Sequence, residues 1–299
     1  MKNINAVILF IFVYNVNGQV ANYNQFPAMQ PQHILDERLE DISFAFSLRV
    51  LESNYTGPLI RLRRSSDNAE SDFYCTDNDM VNLEAIDTWR NGTDVFIKIW
   101  YDQSGLNRHA VQNINDNQPR FFTVVNAPFF QGDGINDHLT VNTPNGIQDV
   151  TNNGNQGTVL MLAKASTKNQ HSFGVLISRD RWSTHINWGN NNLYFDPGIC
   201  CNSTRFFPNT TSLNLWKQYS FIKSSTNATA RLNGVTLMDG AHITGRCTRT
   251  ENFAIGWATG GDASAHSTSS FAELIMYRTN INPSAYQEIE ENTMTYWNL

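Results

Sequence analysis

Glu273 is a carboxylate whose neighbours suggest either chemistry or a structural ion pair. It stands in a strand-like run between Phe271 and Tyr277, which alternation places on the same face. An unpaired charge among such apolar neighbours is costly. Glu273 is therefore either a buried group paired with an arginine, with Arg63 or Arg64 as candidates, or an acid–base or sugar-contacting carboxyl with a raised pKa.

Several aromatic residues could supply the flat apolar faces on which sugar rings stack. They are Trp182, Trp188, Tyr194, Trp216 and Trp257. In a β-sandwich most of them belong to the core. We expect ligand contact from Trp188, which precedes the adjacent cysteines at 200 and 201, and from Trp257, which precedes the Gly-Gly-Asp run ending at Asp262.

Two turn-like runs carry oxygen ligands. The run Gly132–Asp137 could hold a structural calcium ion, but it lacks EF-hand spacing, so a hairpin turn is favoured. Asp102 begins a second run and is expected to cap a turn, with a sugar or calcium contact as the alternative. The histidines show no metal-ligand spacing, and no GxSxG elbow or phosphate-binding glycine loop occurs. No metal site and no cofactor are therefore predicted, apart from that calcium.

Charge and composition limit the class of partner. The net charge is −6 and no long basic run occurs, which argues against nucleic acid as a partner. The 299 residues are 40% hydrophobic and 12% aromatic, so the chain can bury one sizeable core or two small ones.

The four cysteines predict disulfides without fixing their pairing. Because their number is even, an oxidising compartment would favour two bridges. One arrangement joins distant residues in both bridges. The other joins the neighbours Cys200 and Cys201, which leaves Cys75 and Cys247 as the second pair.

The N-terminus predicts export. Residues 1–18 have a lysine followed by a short apolar run from Ala6 to Tyr14, which is typical of a cleaved signal peptide and too short to span a bilayer. No later segment is apolar enough to span one. Residues 19–42 are a polar lead, and residues 43–299 are expected to form one domain. Export is also supported by five glycosylation sequons, at Asn54, Asn91, Asn202, Asn209 and Asn227.

Short strands dominate the elements that must position these residues. From residue 43 onward, alternating runs are separated by turns rich in Asn, Asp and Gly, of which Asn233-Gly234 is a good hairpin turn. Helix is expected near residues 82–89 and at the C-terminus, where Asn282 can cap a helix whose glutamates, Glu290 included, face water. The pattern predicts an all-β fold, a two-sheet antiparallel sandwich of jelly-roll type.

Two stretches carry a family resemblance in the first half of the chain. They are the run RLRRSSDNAE at residues 61–70 and the run IWYDQSG at residues 99–105. Together they resemble the catalytic domain of fungal α-L-arabinofuranosidase B. The runs LYFDPG at 193–198 and FAELIMY at 271–277 resemble concanavalin A-like and laminin-G-like lectin domains. The resemblance implies a concanavalin A-like sandwich with a short C-terminal helix.

The arabinofuranosidase resemblance also implies roles for particular residues. The family's acid/base is an aspartate after two glycines, which corresponds to Asp262 preceded by Gly261, and its sugar pocket holds a vicinal disulfide, which corresponds to Cys200–Cys201. The family's nucleophile is a glutamate between these two motifs, but no glutamate occurs between Cys201 and Glu251. Glu273 is the candidate for the second carboxylate that retaining hydrolysis requires.

Three functions are therefore expected, in this order. The first is a secreted, lectin-like domain that binds glycans or polysaccharide without hydrolysis, because the family's nucleophile is missing. The second is an active α-L-arabinofuranosidase with Asp262 as acid/base. The third is a structural glycoprotein of the extracellular matrix.

Overall fold

Antiparallel β-strands are the main secondary structure in the computed structural model, which describes residues 33–166, 170–201, 204–208, 213–242 and 245–299. The strands within these ranges are β1 (Ile42–Ser47), β2 (Ile60–Arg64), β3 (Glu70–Phe73), β4 (Val95–Trp100), β5 (Ala110–Val111), β6 (Arg120–Phe122), β7 (Phe129–Gln131), β8 (Leu139–Val141), β9 (Gly157–Lys164), β10 (Phe173–Ile177), β11 (Asp180–His185), β12 (Asn192–Ile199), β13 (Phe206–Pro208), β14 (Trp216–Lys223), β15 (Asn227–Leu232), β16 (Val235–Ala241), β17 (Phe253–Ile255) and β18 (Ser270–Tyr277). The helices are α1 (Leu83–Arg90), α2 (Ile147–Val150) and α3 (Pro283–Trp297).

The strand pairings trace two sheets. The first runs β1-β18-β9-β14-β15-β16, and all of its neighbours are antiparallel. The second runs β3-β2-β4-β5-β8-β17-β10-β11-β12-β13. Strands β6 and β7 connect β4 of the second sheet to β18 of the first. The predicted two-sheet antiparallel sandwich is confirmed.

The main core contains apolar side chains from both sheets. Phe44 and Met276 contribute from the first sheet, and Trp100, Phe253 and Phe195 from the second. Burial of such large side chains contributes about 1.5–3 kcal/mol each. The alternation that predicted the strands thus also selects the residues that fill the core.

Helix α3 packs on the outer side of the first sheet. Asn282 caps it by accepting a hydrogen bond from the Ala285 amide, and Pro283 opens its first turn, as predicted. Ile289 is buried in a second, smaller apolar cluster with Leu160 and Ile275.

The expectation that Glu290 faces water is wrong. Its side chain is 1% exposed and pairs with Arg231 of β15, with an Nε–Oε1 distance of 2.8 Å. It also accepts a hydrogen bond from Ser220 of β14. The outer face of the first sheet carries these polar groups, so the helix buries part of its polar face as well as its apolar stripe.

The described part of the lead segment folds onto the body. Ile34 and Leu35 are buried in the smaller cluster with Leu51, and β1 begins at Ile42, next to the predicted boundary at residue 43. The predicted signal peptide and residues 19–32 lie outside the described residues. Within the described ranges, no helix has both the length and the apolar character needed to cross a membrane.

The predicted bridge between Cys75 and Cys247 is absent, and both residues are free thiols. Cys75 is fixed by a backbone bridge to Val81, whereas the amide of Cys247 donates to the carbonyl of Gly154. Each cysteine thus has its own backbone partner in a different segment, whereas a disulfide needs the two cysteines close together.

Thiol titration tests this pairing. Unreduced protein in denaturant should expose two thiols per chain. Under native conditions only Cys75 should react, because burial raises the pKa of the Cys247 thiol and leaves its side chain inaccessible. A count of zero thiols in denaturant would contradict the free state of Cys75 and Cys247.

Three predicted glycosylation sites can be placed on the surface. Asn54, Asn91 and Asn227 are exposed, whereas Asn202 and Asn209 lie outside the described residues. Exposure satisfies the steric requirement for a glycan, and modification at these positions stays a prediction.

Candidate active site

A cavity of about 430 Å³ lies beside the second sheet. Its lining comes from β10, β11 and β12, the loops next to them, and the loop after β17. The lining residues are His171, Leu176, Ser178, Arg181, His185, Trp188, Tyr194, Cys201, Arg205, Gly260 and Asp262.

Strand alternation places the charged and aromatic groups of β11 and β12 on the cavity side. Arg181 and His185 stand four residues apart on β11, and His185 pairs with Tyr194 of β12. Trp182, on the opposite face, is fully buried in the core. The alternation in DRWSTH could have revealed Arg181 and His185, which the sequence reasoning did not single out.

The vicinal disulfide closes one side of this cavity. Cys200 and Cys201 are bonded to each other directly after β12, so the vicinal alternative is the one that the structure contains. Cys201 lines the cavity, whereas Cys200 is 1% exposed. The amide of Cys200 donates to the backbone carbonyl of Arg179. The side-chain Nε of Arg179 in turn donates to the carbonyl of Cys200 at 2.7 Å.

The loop that carries Asp262 is fixed to β10. The carbonyl of Thr259 accepts from the amide of Leu176, and Thr259 donates to Gly174. Gly260 has φ +84°, and a Cβ there would lie 2.0 Å from Cδ1 of Ile177, so the position needs glycine. Asp262 follows, with an exposed side chain.

Gly261 and Trp257 make further contacts that fix this loop. A Cβ on Gly261 would lie 3.2 Å from Nε2 of His171. The indole of Trp257 donates to the carbonyl of Asp262 at 3.2 Å and stacks on His266. Trp257 therefore positions the acid-bearing loop, and Trp188 is the predicted tryptophan that lines the cavity.

The aromatic wall of the cavity contains two neutral histidines. The ring of Trp188 lies 5.1 Å from that of His171 and 5.0 Å from that of His185. Burial, followed by the neighbouring His185, lowers the pKa of His171 to about 2. Burial, followed by Arg181, lowers the pKa of His185 to about 3. Both rings are therefore uncharged at neutral pH.

Glu273 does not line this cavity. Its carboxylate is 2% exposed and pairs with Arg49, not with Arg63 or Arg64 as expected, at 2.8 Å between Nε and Oε2. Thr293 of α3 also donates to it at 2.8 Å. The structure thus gives Glu273 a structural ion pair and does not bring it to Asp262.

A bulge explains why simple alternation misplaced one neighbour of Glu273. The register between β18 and β9 shifts between Phe271 and Glu273. Phe271 consequently packs in the main core together with Ala272, whereas Ile275 and Tyr277 lie in the smaller cluster.

The oxygen-rich turns are satisfied by backbone groups. Asp102 accepts hydrogen bonds from the amides of Ala45, Ser104 and Arg108, which gives it the predicted turn-capping role. Asp133 accepts from the amides of Ile135 and Asn136 in the Gly132–Asp137 turn. Over the described ranges, no group of three metal-ligating side chains comes together. Calcium binding stays an untested expectation.

Asp137 of the same turn should make stability depend on pH. Burial, followed by Asp133, raises its pKa to about 7. The folded state therefore binds the Asp137 proton more tightly than the unfolded state does. The free energy of unfolding consequently falls as the pH rises from about 4 to 7. We expect Asp137→Asn to gain about 1–3 kcal/mol over the natural chain between pH 4 and pH 8, measured by urea unfolding. Asp116→Asn, an exposed position on the same surface, is the control, and a pH-independent difference would contradict the prediction.

The fold and the cavity together define a two-sheet β-sandwich that carries an exposed acid and a vicinal disulfide in one cavity. Comparison with known proteins narrows this class. The family described as α-L-arabinofuranosidase B, catalytic, matches residues 42–123. The probable α-L-arabinofuranosidase B of Aspergillus fumigatus is 40% identical over 65 residues, which cover 21% of this chain and 13% of that protein. The α-L-arabinofuranosidase of Hypocrea jecorina is 41% identical over 64 residues, with the same coverage.

Solved structures extend the likeness to most of the chain. An arabinofuranosidase complexed with arabinofuranosyl-α-1,2-xylobiose superposes with a TM-score of 0.69 at 16% identity, covering 90% of this chain and 65% of that one. A GH54 α-L-arabinofuranosidase soaked with a cyclic sulfate inhibitor gives a TM-score of 0.64 with the same identity and coverage. The chain thus resembles the arabinofuranosidase B catalytic domain in sequence and in fold.

The matched sequence and the cavity are separate parts of the chain. Residues 42–123 form the scaffold from β1 to β6, whereas the lining lies between His171 and Asp262. The chain also spans only a small part of the curated relatives it matches. The resemblance to an arabinofuranosidase-type domain is confirmed. It supports the second expected function, an arabinofuranosidase, better than the first, a non-hydrolytic lectin-like domain.

Proposed function

We propose that this chain is a secreted glycoside hydrolase of the arabinofuranosidase type, acting on α-L-arabinofuranosides in polysaccharide with Asp262 as general acid. The observation that carries the proposal is that Asp262 and Cys201 line one cavity, as the family resemblance implies for the acid/base and the vicinal disulfide. Secretion is supported by the signal-like residues 1–18 and by the disulfide itself.

Asp262 can protonate the oxygen that leaves during glycoside cleavage. Its side chain is exposed at the cavity, so a bound sugar can reach it from the solvent side. Protonation of that oxygen lowers the barrier to an oxocarbenium-like transition state.

A second group must attack or stabilise the anomeric carbon. Asp196 is fully buried and its two carboxylate oxygens are held by Arg205, so it is not free to attack. Tyr194 lines the cavity, and its hydroxyl accepts a hydrogen bond from Asn190 at 2.8 Å. We therefore give the stabilising role to Tyr194, whose hydroxyl oxygen can face the positive charge that develops at the anomeric carbon. Water then attacks that carbon and releases its proton to the solvent.

Turnover of 4-nitrophenyl α-L-arabinofuranoside by the full chain tests the proposal. The natural chain should release nitrophenol, and Tyr194→Phe should reduce kcat by about 10²-fold or more without a matching change in melting temperature. Asp116→Asn, at an exposed position outside this cavity, is the matched control and should behave as the natural chain. If the natural chain binds arabinofuranosides without turnover, the proposal fails and glycan binding alone remains.

A further inference from the structure

Two arginines of the cavity compete for one buried carboxylate. Asp196 has a side chain with 0% exposure, and Arg205 donates to it from Nε at 2.6 Å and also from Nη2. Arg181 approaches the same carboxylate only to 3.7 Å, from Nη1. Arg205 therefore forms the close two-point pair with Asp196, and Arg181 is left with a longer contact.

The charge of Arg181 is poorly compensated by the protein. Its side chain is 16% exposed, and its Nε is buried without a hydrogen-bond partner. Its Nη2 donates to the neutral carbonyl of Ser178. Burial lowers its pKa; the charge of Asp196 opposes this shift, and the charges of Arg205 and Arg179 add to it. A desolvated guanidinium in this position gains free energy when an anion approaches it.

The other titratable groups of the cavity do not supply that anion. His171 and His185 are neutral, and protonation would make either of them a cation. Asp262 is exposed, and in the described part of the chain it forms no ion pair with Arg181 or Arg205. Arg205 also lies over the ring of Tyr194, 4.7 Å from its centroid, which places a second guanidinium beside the aromatic wall.

We infer that the cavity selects a sugar that carries an anionic group, a carboxylate or a sulfate, which Arg181 and Arg205 hold beside the aromatic wall. This inference rests on the proposed function only in that a sugar occupies the cavity. A carboxylate or sulfate would accept charge-assisted hydrogen bonds from Arg181 and complete its solvation. The ring of the same sugar would stack on Trp188.

Calorimetric titration with matched pairs of sugars tests the inference directly. The pairs are methyl β-D-glucuronide with methyl β-D-glucoside, methyl α-D-galacturonide with methyl α-D-galactoside, and galactose 6-sulfate with galactose. At least one anionic member should bind about ten- to a hundredfold more tightly than its neutral partner. Preference for the uronides identifies a carboxylate ligand, and preference for the sulfated sugar identifies a sulfate.

Substitution of Arg181 assigns the effect to this residue. Arg181→Gln should bring the anionic and neutral affinities within about threefold of each other, whereas Arg181→Lys should keep part of the difference. Arg90→Gln, on helix α1, is the matched control for the loss of one positive charge. The melting temperature of each variant shows whether it is folded, and the natural chain alone already reports the preference.

The outcomes separate this inference from the proposed function. Equal affinity within every pair, or no binding of any anionic member, overturns the inference even if arabinofuranosides are hydrolysed. Tight binding of an anionic sugar that is lost in Arg181→Gln supports it even if no glycoside is cleaved. An anionic preference that survives in Arg181→Gln also overturns it, because the charge must then come from elsewhere.

Discussion

The Asp262→Asn variant is expected to lose about 10²- to 10⁴-fold in kcat/KM on arabinofuranosides with a poor leaving group, such as an alkyl or sugar alcohol. An alkoxide leaves only when its oxygen is protonated, and Asp262 is the exposed carboxyl that the loop fixed to β10 presents to the cavity. A nitrophenolate leaves without that proton, so the loss on the 4-nitrophenyl substrate should be much smaller. Kinetics on both substrates with the full chain provide the measurement.

This dependence on the leaving group distinguishes acid catalysis from a binding role. If Asp262 only bound the sugar, both substrates would lose the same factor, and the loss would appear in KM. Equal losses on the two substrates would remove Asp262 from the acid role.

The Glu273→Gln variant is expected to lose about 3–5 kcal/mol in the free energy of unfolding, because it leaves the buried Arg49 without its counter-charge. Glu273 joins three elements, since Arg49 follows β1, Glu273 lies in β18 and Thr293 lies in α3. Burial alone would raise the pKa of Glu273, but the charge and hydrogen bonds of Arg49, with Thr293 and Ser47, hold it below the ordinary value. Chemical denaturation at neutral pH provides the measurement.

The pH dependence of stability gives a second readout for the same pair. Because the folded-state pKa is lowered, the stabilisation is present above the ordinary carboxyl pKa and is lost as the pH falls through the folded value. The difference between Glu273→Gln and the natural chain should therefore shrink in acid. Asp87→Asn, which breaks the exposed pair with Arg90, is the control and should cost less than about 1 kcal/mol. A Glu273 variant as stable as this control would contradict the assigned role.

Local sequence signals were sufficient for most single elements of the fold. The cap at Asn282 and the hairpin turn at Asn233-Gly234 lie where predicted, and both turn residues have positive φ. Strands β11 and β12 carry polar and charged residues on their cavity side, which weakens the apolar signal of a strand. Element type follows from short-range periodicity, so errors occur where a functional surface interrupts it.

The candidate site was only partly accessible to the same reasoning. The sequence predicts site roles for Asp262, Cys201 and Trp188, and the cavity brings these residues together. Alternation within β11 can indicate the face on which Arg181 lies. No local pattern shows that Arg181, Asp196 and Arg205, from β11, β12 and the following loop, converge. The apolar neighbours of Glu273 predict that it is buried, and in the structure the buried carboxylate forms an ion pair with Arg49.

The sequence by itself determined an antiparallel β-sandwich with a capped C-terminal helix, because alternation, turn residues and caps act over a few neighbouring positions. Only the tertiary structure decided which distant side chains meet. Arg49 and Glu273 are separated by 224 residues, and the pairing of β1 with β18 brings them together. The free thiols and the shared carboxylate at Asp196 have the same origin, since strand order in the sheets, which no local pattern encodes, decides which side chains become neighbours.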